Sequence, residues 1–317
     1  MNLHTIIEDI NAELNSQGFL AKREEFKSKL GHQFESFFRE VDLAIAKLRS
    51  SDSALPLFLL DALPGVLIKQ LNEILPDVKS MVAKELVARS LARLPTFIEK
   101  SALPLSIIQQ YPTAVRYIIS SIVRDPDASY GSFDRDLRLA AGFTVPAGTN
   151  VVDLRCWLPR NFYRSQGLKE NLRCLSFVML RLGGLGPLFR SHLDSRHLAE
   201  FNPHARNQFF ARIAELLAVM PEVKGLVGTS WLYDPQLESI SPHLLYLRKV
   251  PMDNGAFLRI DGPEEIHTQR ATARSRTRKK LYEEGTYLPV CATLVWPRND
   301  ILSWSRGWNA ERSPQRF

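Results

Sequence analysis

Apolar positions recur at helical spacing through the first 125 residues. Ile6, Ile7, Ile10 and Leu14 form one amphipathic stripe; Phe34, Phe37, Phe38, Val41, Ile45 and Leu48 form another. Ser50-Ser51-Asp52-Ser53 interrupts the pattern with residues suited to turns and caps. Leu63-Pro64-Gly65 and Pro76-Asp77 each open a further helix, with proline near the first turn, where its missing N–H costs nothing. Val78, Met81, Val82, Leu86 and Leu91 continue the second of these. Pro104 starts one more, carried by Ile107, Ile108, Val115, Ile118, Ile119 and Ile122. Helix after helix with short joints predicts a helical bundle, and its aromatic and Met positions read as core.

The texture changes after Arg124-Asp125-Pro126-Asp127. Strands are predicted over 137–145 and 151–158, separated by a Pro146–Thr149 turn, and over 174–180. A glycine-rich turn follows, then a helix over 205–220 with Phe209, Ile213, Leu216 and Leu217 on one face and Arg206 and Arg212 outward. A strand over 223–233, a possible pair at 244–248 and 256–260, a helix over 272–284 ended by Gly285, and a strand over 287–296 complete the series. Alternating strands and helices make this half a mixed α/β domain. The expected class is α+β: a helical domain over 1–125, an α/β domain over 126–305 that carries the site, and a frayed tail over 306–317.

Composition narrows the setting. With 317 residues, 45% of them hydrophobic and 24% charged, the chain suits a globular protein of two domains. No run of 18 apolar residues exists, so no membrane span is expected, and the first residues lack the order of a signal peptide. Cys156, Cys174 and Cys291 form no C-x-x-C pair, which argues against a disulfide framework or a structural zinc site and fits reduced thiols in the cytoplasm. A net charge of +7 admits an acidic partner. Nothing in the chain marks a particular oligomeric state.

The chemistry concentrates after residue 174. Arg181-Leu182-Gly183-Gly184-Leu185-Gly186 follows an apolar run, and such glycines serve either a tight turn or a backbone cradle for phosphate. The order of strand, Arg181-x-x-Gly184-x-Gly186 and a helix opening near Pro187 resembles the pyrophosphate loop of GNAT-type acyltransferases. Leu281-Tyr282-Glu283-Glu284-Gly285-Thr286-Tyr287 resembles that family's late helix-to-strand junction. Over 135–297 the resemblance implies an acyl-CoA-dependent N-acyltransferase acting on a small-molecule substrate. In it Arg181, Gly184 and Gly186 hold the pyrophosphate, and Tyr282 protonates the departing thiolate. Trp231, Tyr233 and Asp234 end a strand and make a candidate substrate wall. The block over 228–248 is also similar to bacterial proteins of unassigned function, which implies no activity.

Two other readings stand beside it. His192-Leu193-Asp194, completed by His243 or His267, resembles the facial triad of non-haem iron oxygenases and implies Fe(II), with Arg259 or Arg270 holding a co-substrate carboxylate. Alternatively the chain is a non-enzymatic binding protein. Its basic run Arg270, Arg274, Arg276, Arg278, Lys279 and Lys280 would then meet nucleic acid or another polyanion, or serve as a solvated helix face.

Overall fold

The computed structural model describes residues 2–51, 56, 59–74, 76–124, 132–163 and 167–312. It has an α+β fold in two compact units, Met1–Cys156 and Trp157–Phe317. Among the described residues no helix is long and apolar enough to cross a membrane.

The first unit runs through α1 (Leu3–Leu14), α2 (Gln17–Leu30), α3 (Glu35–Ser50), α4 (Gly65–Glu73), α5 (Pro76–Leu91) and α6 (Leu94–Lys100). It continues with α7 (Leu105–Ile108), α8 (Tyr111–Arg124) and α9 (Phe133–Ala140), then an antiparallel hairpin of β1 (Thr144–Pro146) and β2 (Asn150–Cys156). Asn2 caps α1 by accepting from the Thr5 amide, and the predicted stripe Ile6, Ile7, Ile10 and Leu14 is buried. That stripe packs on α8, which buries Val115, Ile118, Ile119 and Ile122; α2 lies against both α5 and α8.

The unit boundary falls after Cys156 rather than at the composition break, whose residues 125–131 lie outside those described. The hairpin belongs to the helices because a buried ion pair ties them: Arg138 of α9 meets Asp153 of β2 at 3.0 Å, and Thr144 donates to the same carboxylate at 2.7 Å. The strand expected over 137–145 is therefore helical as far as Ala140. Asp136 to Ala140 are all buried, and the alternation of Asp136 and Arg138 with Leu137 and Leu139 imitates the period of a strand. Gly142, at φ +75°, ends the helix in the left-handed conformation, with the Phe143 amide reaching back to the Arg138 carbonyl.

The second unit contains α10 (Leu168–Ser176), β3 (Leu188–Leu193), α11 (Pro203–Val219), β4 (Gly225–Ser230), α12 (Leu237–Ile240) and α13 (Tyr246–Asp253). After these come β5 (Phe257–Gly262), α14 (Glu265–Ala273), α15 (Arg276–Glu283), β6 (Cys291–Pro297) and α16 (Arg298–Arg312). Its strands lie in the order β3-β4-β6-β5, with β3 parallel to β4 and β6 antiparallel to both its neighbours. On one face Trp296 meets Phe210 of α11 and Trp304 of α16, with ring centroids 5.1 and 5.7 Å away. On the other, Phe257 stacks on Phe177 at 4.5 Å, beneath the Arg173 guanidinium.

Six expectations change here. The apolar run over 174–180 is not a strand: α10 runs into it and widens to a π-turn over Phe177–Arg181. Only Cys174, Phe177 and Val178 are buried, the i, i+3, i+4 set of a helix, while Leu172, Leu175, Met179 and Leu180 face out. No helix opens at Pro187, because β3 begins at Leu188. Residues 246–253 are helical, and β5 pairs with β6 instead. The helix expected over 272–284 breaks at Arg274, where Ser275 caps α15 by accepting from the Arg278 amide. Arg206 points inward, donating to the Tyr233 hydroxyl at 3.2 Å. Residues 306–312 of the expected tail belong to α16, and 313–317 lie outside the described residues.

Gly225 opens β4 where a Cβ would stand 2.2 Å from the Trp296 carbonyl oxygen. Gly225→Ala must push two strands apart and should cost about 2–3 kcal/mol. All five tryptophans lie in the second unit, so a urea titration followed by their fluorescence reads this loss directly. An unchanged midpoint would contradict the close approach.

Candidate functional site

Strand direction sorts the chemistry of the second unit into two ends. The glycine turn 183–186 precedes β3, next to the start of β4, where Gly225 pairs with Pro297. Trp231, Tyr233 and Asp234 follow β4, next to the start of β6, where Ser230 pairs with Ala292. A six-residue strand spans about 20 Å, so the turn and the aromatic wall occupy opposite ends of the sheet.

At the first end the glycines terminate a helix. Gly183 and Gly184 have φ of +77° and +90°, and the Gly184 amide donates to the Val178 carbonyl at 2.9 Å. That amide is spent within the turn rather than offered to an anion. Gly186 leaves room for the Lys224 side chain, and exposed Arg181 pairs with Asp300 at 2.9 Å. The turn follows a helix and precedes a strand, the reverse of the order on which the phosphate reading was built.

At the second end Asp234 is fully buried and accepts from the Tyr287 hydroxyl and the Val290 and Gln236 amides at 2.9–3.2 Å. Burial, then the neighbouring Asp234 charge, pushes the Tyr287 phenol above its usual range. Tyr233 is held by Arg206, while Trp231 lies under the guanidinium of buried Arg278. These side chains brace the α15–β6 junction, with Trp231 half-buried at its margin. Arg278 is thus a packed residue of the basic run, and Lys279 and Lys280 pair with Glu283 and Glu284 at 3.8 and 3.7 Å, which shrinks the basic surface.

Polar residues also cross the sheet on the face that carries Phe257. Thr229, Thr293 and Arg259 are cross-strand partners on β4, β6 and β5. The Thr229 and Thr293 hydroxyls stand 2.9 Å apart, Thr293 donates to Asp261 at 2.6 Å, and Arg259 pairs with Asp261 at 3.3 Å. Burial raises the Asp261 carboxyl above its ordinary range despite the Thr293 hydrogen bond and the Arg259 charge. Thr229 is the exposed end of this row. Arg259 is therefore committed to Asp261, and Arg270 is exposed on α14.

Beyond Asp261, Glu264, His267 and Cys291 bring a carboxylate, an imidazole and a thiol within 4.8 Å of one another. Burial, then the charges of Glu264 and Asp261, pushes the Cys291 thiol up to about 12, and burial pulls His267 below the usual histidine range. This is the only such grouping among the described residues; of the iron-triad candidates it contains His267 and not His192, Asp194 or His243. Both Asp194 oxygens accept from Arg196, at 2.8–3.1 Å, and His243 is exposed on a separate turn. Tyr282, on α15, lines a groove with Pro263, Glu264, Thr268, Gln269 and Leu288.

No protein-family model, no curated protein and no solved structure matches this chain.

Sequence reasoning named Tyr282, Trp231 and His267 near this end but missed Thr229, Thr293, Asp261, Glu264 and Cys291. The signal for the last group was faint: Glu264 and His267 share a helical spacing of three after Gly262-Pro263, and Cys291 opens a strand far along the chain.

Cys156, Cys174 and Cys291 are all buried, and burial raises the thiols of the last two. A thiolate is the reactive form. The native, metal-free chain at pH 8 should react with a disulfide reagent at none of the three within minutes, and at all three in denaturant. Fast labelling of a native cysteine would show that it is not enclosed as described.

Proposed function

We propose that the second unit catalyses acyl transfer from an acyl-CoA to a small-molecule acceptor, at the end of the sheet where β3 and β4 finish. The observation that carries this reading is the β3–α11–β4 crossover. Two adjacent parallel strands are joined by a seventeen-residue helix, which gathers their carboxyl ends and the helix's positive end on one side of the sheet. The strand–loop–helix order wanted for a pyrophosphate is realised at 193–203 rather than at the glycine turn. On this reading the donor's phosphates lie by the exposed His204 in the first turn of α11, whose Ala205 amide is taken by the Asn202 cap, and the acceptor lies along the sheet near His192 and Thr229. Tyr282, exposed beside the groove at the same end, is the group offered to the departing thiolate. The likeness of the 281–287 junction to GNAT-type acyltransferases supports the same assignment.

Calorimetric titration of the full chain with acetyl-CoA and a longer acyl-CoA tests the reading. Saturable binding is expected with a dissociation constant between about 1 μM and 1 mM, the usual range for an enzyme's substrate. Gly184→Ala should leave that affinity unchanged and His204→Ala should weaken it several-fold. Absence of binding to any acyl-CoA would overturn the proposal. Loss of binding in Gly184→Ala alone would move the phosphates back to the glycine turn.

A further inference from the structure

Separately from acyl transfer, we propose that Glu264, His267 and Cys291 form a binding site for a divalent transition-metal ion, with zinc the best match. Three elements converge there. Cys291 opens β6 and pairs with Gly262 at the end of β5; Gly262-Pro263 turns the chain; Glu264 and His267 then stand at the start of α14, one helical turn apart. The three ligand atoms lie within 4.8 Å of one another, and His267 Nε2 faces a Glu264 carboxylate oxygen at 3.8 Å. Ligand atoms around tetrahedral zinc stand about 3.5 Å apart. Glu264, whose side chain is 52% exposed, has the rotamer freedom to close the gap.

Two further features point to a ligand. His267 Nδ1 is buried with no hydrogen-bond partner, and an ion taken by this nitrogen, directly or after a ring flip, would satisfy it. The donor set is also unlike a random acidic cluster. Thiolate and imidazole favour zinc over calcium or magnesium, which require oxygen donors. Asp261 lies close enough to bias both His267 and Cys291 electrostatically, and Thr293 and Arg259 hold it in place. Three protein ligands leave a fourth position open, and Glu264 borders the groove that contains Tyr282. That is the arrangement of a zinc ion accessible to water or to a small ligand rather than one closed by four side chains.

The test is cobalt titration of the chelator-treated full chain, read by absorption, with zinc as competitor. About one equivalent should bind and give a thiolate-to-cobalt charge-transfer band, which zinc abolishes. Glu264→Gln, on the exposed side, should fold normally and weaken binding at least about tenfold, the loss seen even for outer-shell changes. Cys291→Ser should remove the band, and His267→Gln should weaken binding as Glu264→Gln does. No saturable binding by the wild type, binding without the thiolate band, or affinity unchanged in both Glu264→Gln and His267→Gln would overturn the site. None of these readouts depends on acyl-CoA, so failure of one proposal leaves the other standing.

Discussion

The second unit depends on β6. All seven of its residues are buried, and it is paired along its length with β4 on one side and β5 on the other. A strand so placed has no solvent face, so each side chain must either pack or find a polar partner. Val295 and Leu294 pack, and Trp296 inserts between α11 and α16 while its indole N–H donates to the Asn254 carbonyl at 2.8 Å. Thr293 and Cys291 are the polar exceptions, and they lie beside Asp261 and the Glu264–His267 pair. The interior strand thus fixes the core and positions the polar row, so substitutions in it will disturb both together.

The helical half was legible because its helices are amphipathic. Ile6, Ile7, Ile10 and Leu14 announce α1, and the isoleucines after Pro104 announce α8, since one face of each is wet. Legibility failed where that contrast vanished. In residues 136–140, all buried, Asp136 and Arg138 alternate with Leu137 and Leu139, so a helix there resembles a strand. In α10 the opposite happens: leucines stay on the exposed side, and the run over 174–180 looks uniformly apolar although only Cys174, Phe177 and Val178 turn inward. Arg206 and Arg278 were assigned outward by the general habit of arginine, but each is buried against aromatic rings with its guanidinium donating to protein oxygens. Burying charge this way requires partners distant in sequence, which periodicity cannot supply.

The same limit governs the candidate sites. His192 and Asp194 are two potential ligands close in sequence, yet Asp194 pairs locally with Arg196 and caps the turn that follows it. Glu264, His267 and Cys291 meet only because β5 and β6 pair in a particular register across a long excursion through α14 and α15. Placed after a strand, the glycine turn looks like an anion cradle. Once it is seen to end a helix, its positive φ values are explained by helix termination.

The row across the sheet also has a sense of direction. A threonine hydroxyl has one proton, and Thr293 gives its own to Asp261. Thr229 must then supply the proton in its contact with Thr293. The exposed oxygen of Thr229 is left with lone pairs alone, so a molecule arriving from solvent meets an acceptor and is met best by an N–H or O–H group of its own.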